Sequence, residues 1–92
     1  MARQVAISGS VTFNGQPMSG ARVDILDGFN NLRVVVQWST NGTGGFSGTC
    51  SLTESDGKVR VYARVSATGH PIARRYRTTS GNEIIFGVIS LT

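Results

Sequence analysis

From Val59 to Ser66 the chain alternates without a break: Val59, Val61, Ala63 and Val65 are separated by Arg60, Tyr62, Arg64 and Ser66. A period of two is that of a β-strand, whose successive side chains leave opposite faces. A helix, at about 3.6 residues per turn, would scatter the four apolar positions around its circumference. This segment is therefore a strand with one buried and one wet face, and its apolar face needs a second apolar layer to cover it.

The same pattern recurs along the chain. Val5, Ile7, Gly9, Val11 and Phe13 alternate with Ala6, Ser8, Ser10 and Thr12, and Asn14-Gly15 supplies the positive dihedrals of a tight turn. After Pro17 and Gly20, the run Ala21 to Ile25 alternates again, with Arg22 and Asp24 facing outward. The first two runs are either a hairpin or members of two neighbouring sheets. Asp27 to Asn31 reads as a loop, and Leu32, Val34, Val36 and Trp38 are expected on one face of the next strand. Thr40 to Gly45 reads as a turn before Phe46, Gly48, Cys50 and Leu52, which points Cys50 inward as a small apolar side chain. Glu54 to Gly57 is a turn into the strand at Lys58 to Thr68. Ile72 to Thr78 forms a further strand, and Ser80-Gly81-Asn82 is the last turn. The expectation is one all-β domain over residues 1–92, a Greek-key sandwich of about seven strands with an immunoglobulin-like or prealbumin-like layout.

Composition agrees. Ninety-two residues, 39% of them hydrophobic, support one core, and 12 glycines with only 2 prolines favour strands and turns over long helices. A single cysteine and a single histidine give no disulfide and no metal-ligand set. No cofactor is expected. The N-terminal residues lack the apolar stretch of an export signal, and no segment reaches membrane-spanning length, so cytoplasmic synthesis and no membrane partner are expected.

The string Gly9-Ser10-Val11-Thr12-Phe13-Asn14-Gly15-Gln16-Pro17-Met18-Ser19-Gly20-Ala21-Arg22-Val23-Asp24-Ile25 resembles the opening of carboxypeptidase regulatory-like domains, the transthyretin-like (prealbumin) sandwiches. Thr40-Asn41 with Gly45-Phe46 is similar to a further element of that family. So is Gly57-Lys58-Val59 through Ala67-Thr68-Gly69-His70, with His70 where the family carries an aromatic residue. The likeness covers roughly residues 7 to 70 and implies the sandwich fold, not an activity. One branch of that group hydrolyses 5-hydroxyisourate with several histidines, an arginine and a tyrosine-containing C-terminal tetrapeptide. Here His70 is alone and the chain ends Ile89-Ser90-Leu91-Thr92, so the resemblance carries no hydrolase over. The five carboxylates, Asp24, Asp27, Glu54, Asp56 and Glu83, read as outward or turn positions, and His70 beside Pro71 as a turn residue. No catalytic residue is expected.

The sharpest chemical feature is Arg74-Arg75-Tyr76-Arg77. On a strand, Arg75 and Arg77 share one face and Arg74 and Tyr76 the other, and Arg60, Tyr62 and Arg64 extend the surface on an adjoining strand. Eight of the nine basic residues are arginine. The formal net charge is +4, of which +3 falls after residue 46. Arginine and tyrosine suit protein contacts as well as phosphates and bases. A net charge of +4 without a recognised binding motif disfavours nucleic acid. The run from Ile84 to Leu91 is apolar at consecutive positions and must be covered on both faces, which makes Ile84, Phe86 and Val88 candidates for a contact between copies.

These features point to a non-enzymatic building block, a small bacteriophage virion protein such as a capsid decoration (cement) or tail accessory protein. Its partners would be its own copies and a capsid or tail protein, and its location the virion. The loops at Asp27 to Asn31 and Thr40 to Gly45 would face outward. The alternative is a glycan- or cell-surface-binding module using Phe29 and Trp38, and a second alternative is weak nucleic-acid binding through the Arg/Tyr surface.

Overall fold

The computed structural model describes residues 2–91, and their regular structure is entirely β. The strands are β1 (Ala2–Phe13), β2 (Gln16–Pro17), β3 (Arg22–Asp27), β4 (Arg33–Ser39), β5 (Gly45–Thr53), β6 (Val59–Ser66), β7 (Ala73–Thr79) and β8 (Glu83–Ser90). Seven are full strands. The eighth, β2, is a two-residue return folded on to the end of β1 by the Asn14-Gly15 turn, where both residues take positive φ.

Two four-stranded sheets result. Sheet I places β1 between β5 and β8, with β2 beside the end of β1. The β1–β8 pairing is parallel, and the β1–β5 pairing antiparallel. Sheet II has the order β4-β3-β6-β7, antiparallel throughout. β1 and β3 therefore belong to neighbouring sheets and do not form a hairpin. β4 lies against β5 at one seam and β7 against β8 at the other. Around the rolled sandwich, β6 returns to lie beside β3 after β3, β4 and β5 have run in sequence, which is the Greek key.

The core is the shared inner layer. Val59, Val61, Ala63 and Val65 of β6 are fully buried in one core with Val5, Ile7 and Val11 of β1 and Val23 and Ile25 of β3. Each such valine or isoleucine contributes about 1.5–3 kcal/mol by leaving water, so the inner faces supply the main stabilisation. Cys50 is buried among them, and burial first, then the Asp27 carboxylate, push its thiol pKa up.

Two strands depart from simple alternation, each because of a bulge. In β4, Val36 pairs with Ile25 but Val34 with Leu26, so Val35 is an extra residue and the parity flips. Val36 and Trp38 pack on the core as expected, whereas Leu32 and Val34 turn outward. In β8 the register shifts opposite Ser8 to Ser10, and Gly87 takes a φ of 72°. Ile84 and Phe86 before the bulge, and Ile89 after it, all reach the core. Ile84 and Phe86 are therefore core residues and not available to a partner, which corrects the sequence expectation for both. Only Ile85 and Val88 face outward from this strand as large apolar side chains, 62% and 65% exposed.

Close packing uses missing side chains. Gly48 lies directly under the Trp38 indole, where an added methyl would overlap the ring carbons Cζ2 and Cε2. Trp38 in turn packs against Phe46 at 6.4 Å between ring centroids. Gly48→Ala is expected to lower stability by about 1–3 kcal/mol through overpacking. Urea denaturation followed by Trp38 fluorescence checks this; an unchanged midpoint would contradict the packing described.

Candidate functional site: the outer face of sheet II

The side chains that β6 turns away from the core meet those of β3 and β7. The Arg60 carbonyl accepts from Gly28 N–H on the β3 side, so Arg60, Tyr62 and Arg64 direct their backbone groups toward β3. Val61, Ala63 and Val65 therefore hydrogen-bond with β7. Tyr62 and Tyr76 are consequently a directly opposed, non-hydrogen-bonded pair, the closer kind, and their rings stack at 5.4 Å between centroids with 28° between planes. Arg64 faces Arg74 and Arg60 faces Thr78 on the same surface. Sequence alternation thus brings Arg60, Tyr62, Arg64, Arg74 and Tyr76 together.

Asp24 sits in the middle of this surface and is buried, not solvated as alternation alone implies. Its outward direction is right, but arginines close over it. Arg64 donates to its Oδ2 from Nη2 at 2.9 Å and from Nε at 3.2 Å, and Arg22 Nε donates to Oδ1 at 3.0 Å. Desolvation raises the Asp24 pKa, but the hydrogen bonds and charges of Arg64 and Arg22 outweigh it and hold the carboxyl below its ordinary value. Asp27 is also buried, a second correction. Its Oδ2 accepts from Thr53 N–H at 2.9 Å and Thr53 Oγ1 at 2.7 Å, tying β3 to β5 across the sandwich.

Beside Asp24 the surface becomes apolar. Leu26 is buried yet lies outside the main core, under a shallow hollow lined by Leu32, Tyr62, Arg64 and Arg74. Leu32 reaches it from a turn in which Asn31 and Leu32 have φ of 55° and 53°, a left-handed conformation that costs leucine about 1–3 kcal/mol. At the other end, the Arg60 guanidinium lies over the Phe29 ring at 5.0 Å. Asp24, Leu26, Phe29 and Leu32 were not among the residues that the sequence pointed to for this surface. The bulge in β4 and the pairing of β3 with β6 put them there, and neither is visible in alternation.

Arg75 and Arg77 lie on the opposite face of β7, opposite Ala63 and Val61, but β7 is an edge strand and both stay exposed. Val88 is exposed on the far sheet, away from the tyrosines. His70 packs its ring on Phe13 at 4.4 Å. In the Thr40 to Gly45 loop, Thr40 Oγ1 donates to the Met18 carbonyl at 2.6 Å and accepts from Ala21 N–H at 2.9 Å. Asn41 Oδ1 accepts from Thr43 and Gly45 N–H at 3.0 Å each. The two residues hold the loop. The faces of Phe29 and Trp38 are occupied by Arg60 and by Gly48 and Phe46. Among the described residues there is no group of three or more His, Cys, Asp or Glu side chains able to hold a metal ion, and no helix long and apolar enough to cross a membrane.

No protein-family model matches the chain, and no curated protein sequence matches it. Among solved structures, it is similar to the dioxygenase domain of a dioxygenase–carbohydrate-binding protein fusion from the cellulolytic bacterium Streptomyces sp. SirexAA-E. The TM-score is 0.67 over 97% of this chain and 80% of that one, at 14% sequence identity. The likeness is one of fold: an all-β sandwich.

Asp24 links this surface to stability. Its carboxyl has a lower pKa folded than unfolded, so its contribution is complete above the unfolded value of about 3.9 and is lost as pH falls through the folded one. Asp24→Asn is expected to cost about 1–3 kcal/mol at neutral pH, because Arg22 and Arg64 are part-exposed and screened. It is also expected to flatten the acid limb of the stability curve. Urea midpoints between pH 2 and pH 7 check both; parallel acid limbs for the two proteins would contradict the pairing.

Proposed function

We propose that this chain is a non-enzymatic interaction module that docks on to protein subunits through the outer face of sheet II. More specifically, we propose a small bacteriophage virion protein, a capsid decoration or tail accessory protein, built as a transthyretin-like sandwich of the carboxypeptidase regulatory kind. The observation that carries the docking reading is the Tyr62–Tyr76 stack with Arg60, Arg64 and Arg74 around it and the buried Leu26 hollow at its side. Tyrosine and arginine dominate the energetics of protein contacts, and a part-apolar hollow gives a partner side chain somewhere to go. The charge is one-sided: among the described residues the one acid of this face, Asp24, is already engaged by Arg22 and Arg64.

The non-enzymatic reading is supported by what occupies the titratable groups. Asp24 and Asp27 are held by arginines and by Thr53, Glu54 is paired with Arg3 at 2.8 Å, and His70 lies on Phe13. The name of the Streptomyces domain brings no activity to this chain, since the likeness is confined to the fold. The transthyretin-like assignment is supported by the positions of the motif residues. Val11, Ala21, Val23 and Ile25 are core, and Asn14, Gly15 and Gly20 have the positive φ of their turns.

The expected outcome is a symmetric oligomer, or co-sedimentation with particles of the phage that encodes the protein, at physiological salt. Tyr62→Ala with Tyr76→Ala is expected to weaken either association about tenfold or more while leaving the far-ultraviolet spectrum unchanged. Sedimentation velocity, with and without particles, is the measurement. A monomer that does not bind particles, or a tyrosine pair whose loss changes nothing, would contradict the proposal. So would an oligonucleotide gel shift that persists at physiological salt.

A further inference from the structure

Because Val61, Ala63 and Val65 hydrogen-bond with β7, the backbone groups of Arg74, Tyr76 and Thr78 point away from β6 to the open edge of sheet II. Such an edge is a template for another strand. Here two of its carbonyls are already occupied by the chain's own side chains. Arg75 Nη1 donates to the Arg74 carbonyl at 2.8 Å, and Arg77 Nη1 donates to the Tyr76 carbonyl at 2.9 Å. Arg77 also lies over the Phe86 ring at 5.6 Å. Neither guanidinium, nor that of Arg74, has a carboxylate partner among the described residues; the ion pairs use Arg3, Arg22 and Arg64.

We propose that the β7 edge is a docking site for an acidic, extended polypeptide segment, with Arg75 and Arg77 acting as its charge-selective cover. A neutral or basic strand meets guanidiniums lying on the carbonyls it would need. A strand with carboxylates at alternate positions offers Arg75 and Arg77 a stronger, charge-assisted partner, and their spacing of two residues matches its repeat. The guanidiniums then move on to the carboxylates, and the Arg74 and Tyr76 carbonyls accept from the incoming N–H groups, adding a fifth strand. A protein strand fits better than nucleic acid because the edge offers a backbone hydrogen-bond ladder, which a nucleic-acid backbone cannot complete. The proposal rests on the reading of sheet II as a protein-docking surface and names the chemistry of the partner.

The test uses the whole protein and a fluorescent eight-residue peptide alternating Glu and Thr, followed by anisotropy. Three competitors are compared: the same peptide with Gln for Glu, the same peptide with alternate backbone amides N-methylated, and oligo(dT). The expected result is binding at least about tenfold weaker for each of the three than for the Glu peptide. Arg75→Gln with Arg77→Gln is expected to remove the preference for Glu over Gln. A Gln peptide or N-methylated peptide that binds as tightly, oligo(dT) that binds as tightly, or a preference that survives in the double variant, would overturn the proposal. Since the double variant touches neither Tyr62 nor Tyr76, failure here leaves association through the tyrosine face standing, and loss of that association leaves this result readable.

Discussion

The single apolar core to which the inner faces of β1 and β6 both contribute is the constraint from which the other features follow. Val59, Val61, Ala63 and Val65 are buried in the same core as Val5, Ile7 and Val11, and with a period of two this leaves Arg60, Tyr62 and Arg64 no direction but outward. A slip of one residue in the register of β6 would bury two arginines and a tyrosine and expose four apolar side chains. Because that slip is so costly, the outer surface of sheet II is defined as firmly as the core.

The pairings then distribute chemistry over the outer surfaces unevenly. Sheet II collects the tyrosines and most of the arginines, since β6 and β7 are neighbours and their polar positions face each other. The outer side of sheet I pairs Ser8 with Ser47 and Ile85, and Ala6 with Thr49 and Glu83, so that Ile85 and Glu83 stand among small uncharged residues. Edges are handled locally. β7 covers its free carbonyls with arginine side chains, and β4 and β8 carry bulges.

Much of this was legible in the residues. The alternation in β1, β3, β5 and β6 gave the sandwich and its inner faces, and the turn at Asn14-Gly15 formed as its sequence predicted. The grouping of Arg60, Tyr62 and Arg64 with Arg74 and Tyr76 also followed from alternation on neighbouring strands. What failed did so where one inserted residue reverses parity: Val35 turned Leu32 and Val34 outward, and the bulge at Gly87 let Ile84, Phe86 and Ile89 all reach the core. Burial of Asp24 was hidden for a different reason, since it depends on Arg64 arriving from a strand 40 residues away in sequence. Leu26 is the subtlest case, a leucine buried on the outward side of its sheet because a turn folds Leu32 toward it.

The register of β6 between β3 and β7 is the claim on which both the tyrosine face and the open edge rest, and residue-resolved amide exchange of the free protein tests it most directly. Ala73, Arg75 and Arg77 on β7 should exchange slowly, because their N–H groups face β6, while Arg74, Tyr76 and Thr78 should exchange rapidly from the open edge. Along β6 both sets should be slow. The opposite alternation on β7, or uniform protection along it, would contradict the account.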